Sequence, residues 1–251
     1  MNIIIKKSKD ADKRKTIWLP MEEEELEEVF KELGIEMTTE YTNGGDGRCI
    51  YMNEEIMKFI ASNNGMINTD EAKQNNISLK RLQRLELYGE LERVAKGLYL
   101  HKDFIVDPFY LAQYRSSKSI FSHSTALYLH KLSDENPIII IMTIPSNWNT
   151  QLLKEKDLYK FYYYKEELWK IGQEEIESPF GHIIKVYNKE RTLCDCIISI
   201  DEIGRDIVLK AIKEYMENIE ERNIDKLYKY AEQLNIKDKV QTYVEVFYEI
   251  Y

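Results

Sequence analysis

The sequence predicts a mixed α/β protein: a winged helix-turn-helix domain at the N-terminal side, then a larger α/β domain that closes in helices. Three observations carry this expectation. Helix-periodic apolar residues precede a short glycine-marked hairpin between Ile56 and Leu100, strand-like runs such as PIIIIMTIP follow, and the helical period returns from Glu190 onward. The chain has 251 residues and 43% hydrophobic content, enough for one large or two modest domains with a real core.

Charge divides the chain into three segments. The net charge is −9, yet residues 53–102 hold 8 Lys and Arg against 7 Asp and Glu, whereas residues 1–52 hold 8 against 12 and residues 103–251 hold 19 against 25. The molecule as a whole repels nucleic acid and anionic membranes, so any nucleic-acid contact must be local to the middle segment.

In residues 1–52, MEEEELEEVFKELGI places Leu26, Val29, Phe30 and Leu33 at helical spacing, with Gly34 as a stop. The run TTEYTNGGDGRC, Thr38 to Cys49, strings turn dipeptides together and reads as a linker, so residues 1–52 form an acidic extension.

Residues 53–102 read as helix, helix, helix, hairpin. Ile56, Phe59 and Ile60 give a first helix ending near Gly65; Thr69 serves as N-cap of a short second helix; Ser78 caps a third. In the third, Leu79, Leu82 and Leu85 are expected to seat the helix, with Lys80, Gln83 and Arg84 outward and Arg81 on the flank. Leu91 to Val94 and Leu98 to Leu100 flank Ala95-Lys96-Gly97 as a wing. This order is a winged helix-turn-helix, whose last helix enters the DNA major groove. From Ser78 to Lys102, six basic residues (Lys80, Arg81, Arg84, Arg93, Lys96, Lys102) stand against three acids. They suit phosphate neutralisation, with Arg and Gln available to base edges. A solvated amphipathic helix, or a protein-interaction winged helix, gives the same pattern.

In residues 103–251, Asp107-Pro108 opens a helix with Leu111 and Tyr114, and Ser119 to Leu132 is read as one further helix. PIIIIMTIP, KFYYYK and HIIKVY are read as strands, and Ile207 to Ile219 and Val240 to Phe247 as helical stripes.

The run from Asn53 to Phe247 resembles the AbiEi antitoxins of type IV abortive-infection toxin–antitoxin systems. It does so through GMINTDEAKQNNISLKRLQRLELYGELERVAKGLYL, through DPFYLAQYRSSKSIFSHSTALYLHKLSDENPIIIIMTIP and through YNKERTLCD, the motifs Ser122-His123-x-x-Ala126-Leu127 and Glu190-Arg191-Thr192-Leu193-x-Asp195 being the more specific parts. The resemblance implies a winged helix that binds inverted repeats upstream of its own operon and represses it, and antitoxin activity against a nucleotidyltransferase-like toxin without a stable complex. Inverted repeats call for two copies of the domain, from a self-associated dimer or from two monomers binding cooperatively. It assigns DNA contact to the basic positions above and a core role to His123 and Glu190-Arg191. TIWLPMEEEELEEVFKELGI resembles in part a repeat of the ArdA antirestriction proteins, acidic mimics of DNA; a solvated helix face accounts for the same glutamates.

Other chemistry finds less support. Cys194 and Cys196 with His182 form a poor tetrahedral framework, and His123 and His130, seven apart, lack the His-Glu-x-x-His arrangement of a metalloprotease, so no metal or cofactor is expected. Phosphate-cradling glycine loops and a nucleophile elbow are missing from the sequence. A metal-dependent nuclease built on HIIKVY and Glu190 wants a second acid with no clear candidate. The aromatic run Phe161 to Tyr164 could stack bases, though a covered strand reads the same way. Three cysteines, two of them one residue apart, together with the lack of a signal-peptide core or an apolar run of spanning length, point to a reducing cytoplasm and no membrane.

Overall fold

The computed structural model describes residues 2–6, 14–18 and 49–248, with side chains from 56 to 247. The acidic helix and the linker expected between residues 19 and 48 lie outside the described residues. Strands β1 (Asn2–Lys6) and β2 (Arg14–Trp18) pair antiparallel.

A three-stranded unit follows. Helix α1 (Cys49–Ser62) buries Ile56 and Ile60 one turn apart and ends where Asn64 and Gly65 turn left-handed, φ 57° and 80°. It begins four residues before the expected domain boundary at 53, so that boundary falls inside a helix. Strand β3 (Met66–Asn68), which the sequence reading missed, leads directly into α2 (Thr69–Gln74). The cap of α2 is Asn68, not Thr69: Asn68 Oδ1 accepts from the backbone N–H of Asp70 and Glu71, and Glu71 Oε2 accepts from the Asn68 N–H, a reciprocal capping box.

Helix α3 (Leu79–Leu87) follows the turn at Asn75 and Asn76, and β4 (Leu91–Ala95) and β5 (Leu98–His101) form the hairpin. The strand order is β3-β5-β4, antiparallel throughout, with an irregularity between Arg93 and Ala95. Ile67, Leu91 and Tyr99 face α1–α3 together with Ile77, Leu82 and Leu85. On the opposite face Met66, Leu98 and Leu100 pack against Phe104, Leu111 and Tyr114. The central strand is therefore buried on both sides, which is why its polar–apolar alternation is imperfect.

The opposite face is covered by α4 (Pro108–Arg115), capped by Asp107 with Pro108 at the first helical position. Residues 119–132 do not form one helix. Ile120–Phe121 is a two-residue strand, β6, and α5 starts at His123 and ends at Leu129. Strand β7 covers Ile140–Pro145; Ile138 and Ile139, expected inside it, are exposed. After a short 3-10 turn at Gln151–Lys154 come β8 (Tyr159–Tyr164), α6 (Glu166–Trp169), β9 (Gln173–Glu177) and β10 (Ile183–Tyr187). The sheet order is β8-β7-β6-β10-β9, with β7–β8 and β6–β10 parallel and the other two pairings antiparallel.

Helix α7 (Lys189–Ile198) is buried from Glu190 to Ile197. It packs against α5 and against the C-terminal helices α9 (Arg205–Glu217) and α10 (Ile224–Gln233), with α8 (Ile200–Ile203) and α11 (Lys237–Tyr248) completing the layer. The stripe read from Ile207 to Met216 lines this core, whereas Ile219 falls beyond α9 and is exposed. Among the described residues no helix is long and apolar enough to cross a membrane.

Candidate nucleic-acid interface

Helix α3 seats itself through Leu82 and Leu85, both almost fully buried. Leu79 does not join them: at 49% exposure it lies outside the core. Three-residue steps rotate by about 300°, so six residues carry a side chain about 120° round the helix and the third leucine leaves the buried stripe. Lys80, Gln83 and Arg84 are exposed, and with Leu87 they follow the i, i+3, i+4, i+7 pattern of one outward stripe. Arg81 is half-buried on the flank. Ser78 sits at the N-cap without a side-chain cap bond, so its hydroxyl does not occupy the first-turn N–H groups.

Arg93 is exposed on β4, and its Nε donates to the Ala95 carbonyl at 3.4 Å. Lys96 is exposed at the hairpin turn, whose backbone is anchored rather than projecting freely. Tyr114 Oη donates to the Lys96 carbonyl at 3.2 Å, and the Thr69 N–H donates to the Gly97 carbonyl at 2.9 Å. Lys102 departs from the expected basic set. Its Nζ lies 2.9 Å from Glu90 Oε2, and hydrogen bonding to that carboxylate raises the lysine above its ordinary range. The charge at Lys102 is thus matched by a surface partner, although Lys102 is itself exposed, as are Lys80, Gln83, Arg84, Arg93 and Lys96 around α3 and the hairpin.

The sequence reading missed the residues that hold this surface to the rest of the chain. Tyr110 on α4 accepts from Asn68 Nδ2 at 3.2 Å and donates to Glu71 Oε1 at 3.3 Å. Its ring stacks on His182, centroids 4.6 Å apart, and His182 Nδ1 meets Asp107 Oδ2 at 2.9 Å. Ser178 Oγ donates to the same carboxylate oxygen at 2.6 Å. The spacing Asn68-x-x-Glu71 was a readable capping-box signal; the partner tyrosine 39 residues further on was not.

The Ser122-His123 motif lies at the core of the larger sheet, and the Glu190-Arg191 motif lies on buried helix α7, which packs against the C-terminal helices. Thr143 Oγ1 donates to Ser122 Oγ at 2.8 Å, and that oxygen lies 2.9 Å from His123 Nδ1. His123 stacks on Tyr162 at 3.7 Å, and burial lowers its pKa to about 3, so the ring stays neutral. His130 instead meets the Tyr187 carbonyl, so the two histidines serve different neighbours. Glu190 accepts from Tyr215 Oη and pairs with Lys226, both at 3.0 Å. Arg191 lies between the Tyr164 and Tyr187 rings, and Tyr164 donates to Asp195. Cys194 and Cys196 are buried, which pushes both thiols up. Among the described residues no three His, Cys, Asp or Glu side chains group as metal ligands would.

The fold has a solved counterpart. The Rv2827c protein from Mycobacterium tuberculosis superposes with a TM-score of 0.51 at 11% identity, over 80% of this chain and 79% of that one. At that identity the likeness is one of fold. No protein-family model and no curated protein sequence matches the chain.

Proposed function

We propose that the chain is a DNA-binding autorepressor and antitoxin of the AbiEi type, in which α1–α3 and the β4–β5 hairpin form a winged helix-turn-helix. The observation that supports it is the outward stripe Lys80, Gln83 and Arg84 on a helix seated by Leu82 and Leu85, beside a hairpin carrying Arg93 and Lys96. Such a surface matches groove and phosphate chemistry inside an otherwise acidic molecule. The larger α/β unit would carry the antitoxin activity against a nucleotidyltransferase-like toxin, as the resemblance implies.

Gel retardation of the chain's own upstream DNA across a salt series tests the repressor half, with expected log–log slope of about −0.9 per phosphate neutralised. No retardation at low salt would sink it. Co-expression with the adjacent gene tests the antitoxin half: that gene alone should arrest growth, and this chain should restore it.

A second reading, a winged helix that binds protein, is favoured by one feature. Leu79 and Leu87, at 49% and 63% exposure, place apolar surface beside the basic stripe. It predicts salt-insensitive capture of a protein partner and no DNA affinity.

A further inference from the structure

We infer that Tyr110 is a positioning residue that locks the α2–α3 pair to the larger unit, so that the body of the protein sets the angle at which α3 is presented. The functional consequence rests on the DNA-binding reading; the geometry does not.

The argument starts from the capping box of α2. Glu71 spends one carboxylate oxygen on the Asn68 N–H, at 3.0 Å, and the other on Tyr110 Oη. Asn68 spends its carbonyl oxygen on two N–H groups of α2 and its amide on the same Tyr110 Oη. One hydroxyl from α4 therefore closes a ring with both side chains that define where α2 begins. Desolvation pushes that hydroxyl up to about 12, so it keeps the proton it donates to Glu71.

Tyr110 is itself immobilised. The His182 ring covers it, and Asp107 fixes His182 while capping α4 through the N–H groups of Phe109 and Tyr110. Ser178 holds the second oxygen of Asp107, tying α4 to the β9–β10 turn. Two further bonds cross the same boundary. Tyr114 Oη reaches the Lys96 carbonyl at the hairpin turn, and Asn64 Nδ2 reaches the Gly181 carbonyl at 2.8 Å. The contacts fall at the start of α2, the tip of the hairpin and the end of α1. Three such points fix an orientation, whereas one would leave a pivot.

A reading helix of fixed angle matters most when two copies address an inverted repeat, because the spacing between half-sites then becomes a geometric requirement. Loosening the lock should leave one copy's grip on one half-site intact and relax the spacing rule.

The test uses Tyr110→Phe, which keeps the stack on His182 and removes only the hydroxyl, and the double variant Tyr110→Phe/Tyr114→Phe. Spin labels at Lys73→Cys and Lys213→Cys, in a Cys49→Ser background, report the distance between the two units by pulsed dipolar spectroscopy. The expected result is a single narrow distribution in the parent and one about twice as wide in the double variant. On duplexes with two half-sites separated by the natural spacing or by five more base pairs, the parent should prefer the natural spacing and the variant should lose about tenfold of that preference, with single half-site affinity within about twofold. Unchanged width and unchanged spacing preference in both variants overturn the proposal. So does an equal loss on the single half-site, which would mean that Tyr110 merely supports the fold of α2. If the parent binds no DNA, the repressor reading fails, and the distance distributions still decide whether Tyr110 locks the units.

Discussion

Arg191 donates from Nε to both carboxylate oxygens of Asp195, at 3.1 and 3.2 Å, and both side chains are fully buried four residues apart on α7. The guanidinium also donates to the carbonyls of Leu168 and Ile171. Desolvating both ions is costly, so the pair matters chiefly through what its loss would leave behind. Arg191→Met should lower stability by about 3–5 kcal/mol in urea titration, because Asp195 is left buried without its counterion and must either stay ionised uncompensated or take up a proton. Arg191→Met/Asp195→Leu should recover part of that loss. A double variant as unstable as the sum of the single ones would refute the coupling.

His123 makes stability sensitive to acid. Folding lowers its pKa from the ordinary 6.5 to about 3, so below pH 6.5 the unfolded chain binds a proton that the folded chain refuses. The associated stability is full above pH 6.5 and is lost as the pH falls from there towards 3. His123→Phe keeps a ring against Tyr162 and removes the titration. Between pH 7 and pH 5 the parent should lose about 2 kcal/mol more than this variant in chemical denaturation. Parallel pH profiles would show that the ring is protonated in the folded state.

Two glycines with similar backbones should respond differently to alanine. Gly172 has φ 78°, and a Cβ there would sit 2.6 Å from Arg191 Cβ, which is enclosed and cannot retreat. Gly89 has φ 75° with open space around it. Gly89→Ala should cost about 1 kcal/mol from left-handed strain alone, and Gly172→Ala about 2–4 kcal/mol once overpacking is added. Equal melting shifts would mean that the chain at Gly172 yields.

On the DNA-binding reading, the basic residues divide by role. Arg84→Ala should reduce preference for the operator by about 1–3 kcal/mol, through loss of base-edge contact. Lys96→Ala should weaken all DNA alike and make the salt slope shallower by about 0.9. Lys102→Ala should leave operator preference and salt slope unchanged and weaken all DNA slightly, because it strips the Glu90 carboxylate of its counter-charge. Titrations against specific and random duplexes at several salt concentrations distinguish the three.

Elements with a long apolar period were legible in the sequence: the stripes of α9 and α11, the seat of α3 at Leu82 and Leu85, and the hairpin around Gly97. The strands β3 and β6, with three and two residues, were not, because their identity comes from distant partners: Met66 from Leu100, and Phe121 from Val186 and Met142. Edge strand β9, Gln-Glu-Glu-Ile-Glu, carries too little apolar content to announce itself. At the candidate interface the outward positions followed from helix geometry. The pairing of Lys102 with Glu90 and the lock by Tyr110 arise between elements, where spacing along one chain is silent.

The position of β6 bears on how the chain assembles. Its two residues lie mid-sheet, joined to β7 on one side and, parallel, to β10 on the other, so Phe121 must wait for Val186, 65 positions later in the chain. The sheet of β3–β5 closes between Met66 and His101 and needs no such wait. On a ribosome, the segment bearing α3 can complete its own hydrogen bonding while half of the larger sheet is still unmade, and the slow step belongs to the long-range pairing. Conditions that trap the nascent chain should therefore yield an ordered front and an unfinished back, with the margin of β6 that awaits β10 as the place where neighbouring chains would stick.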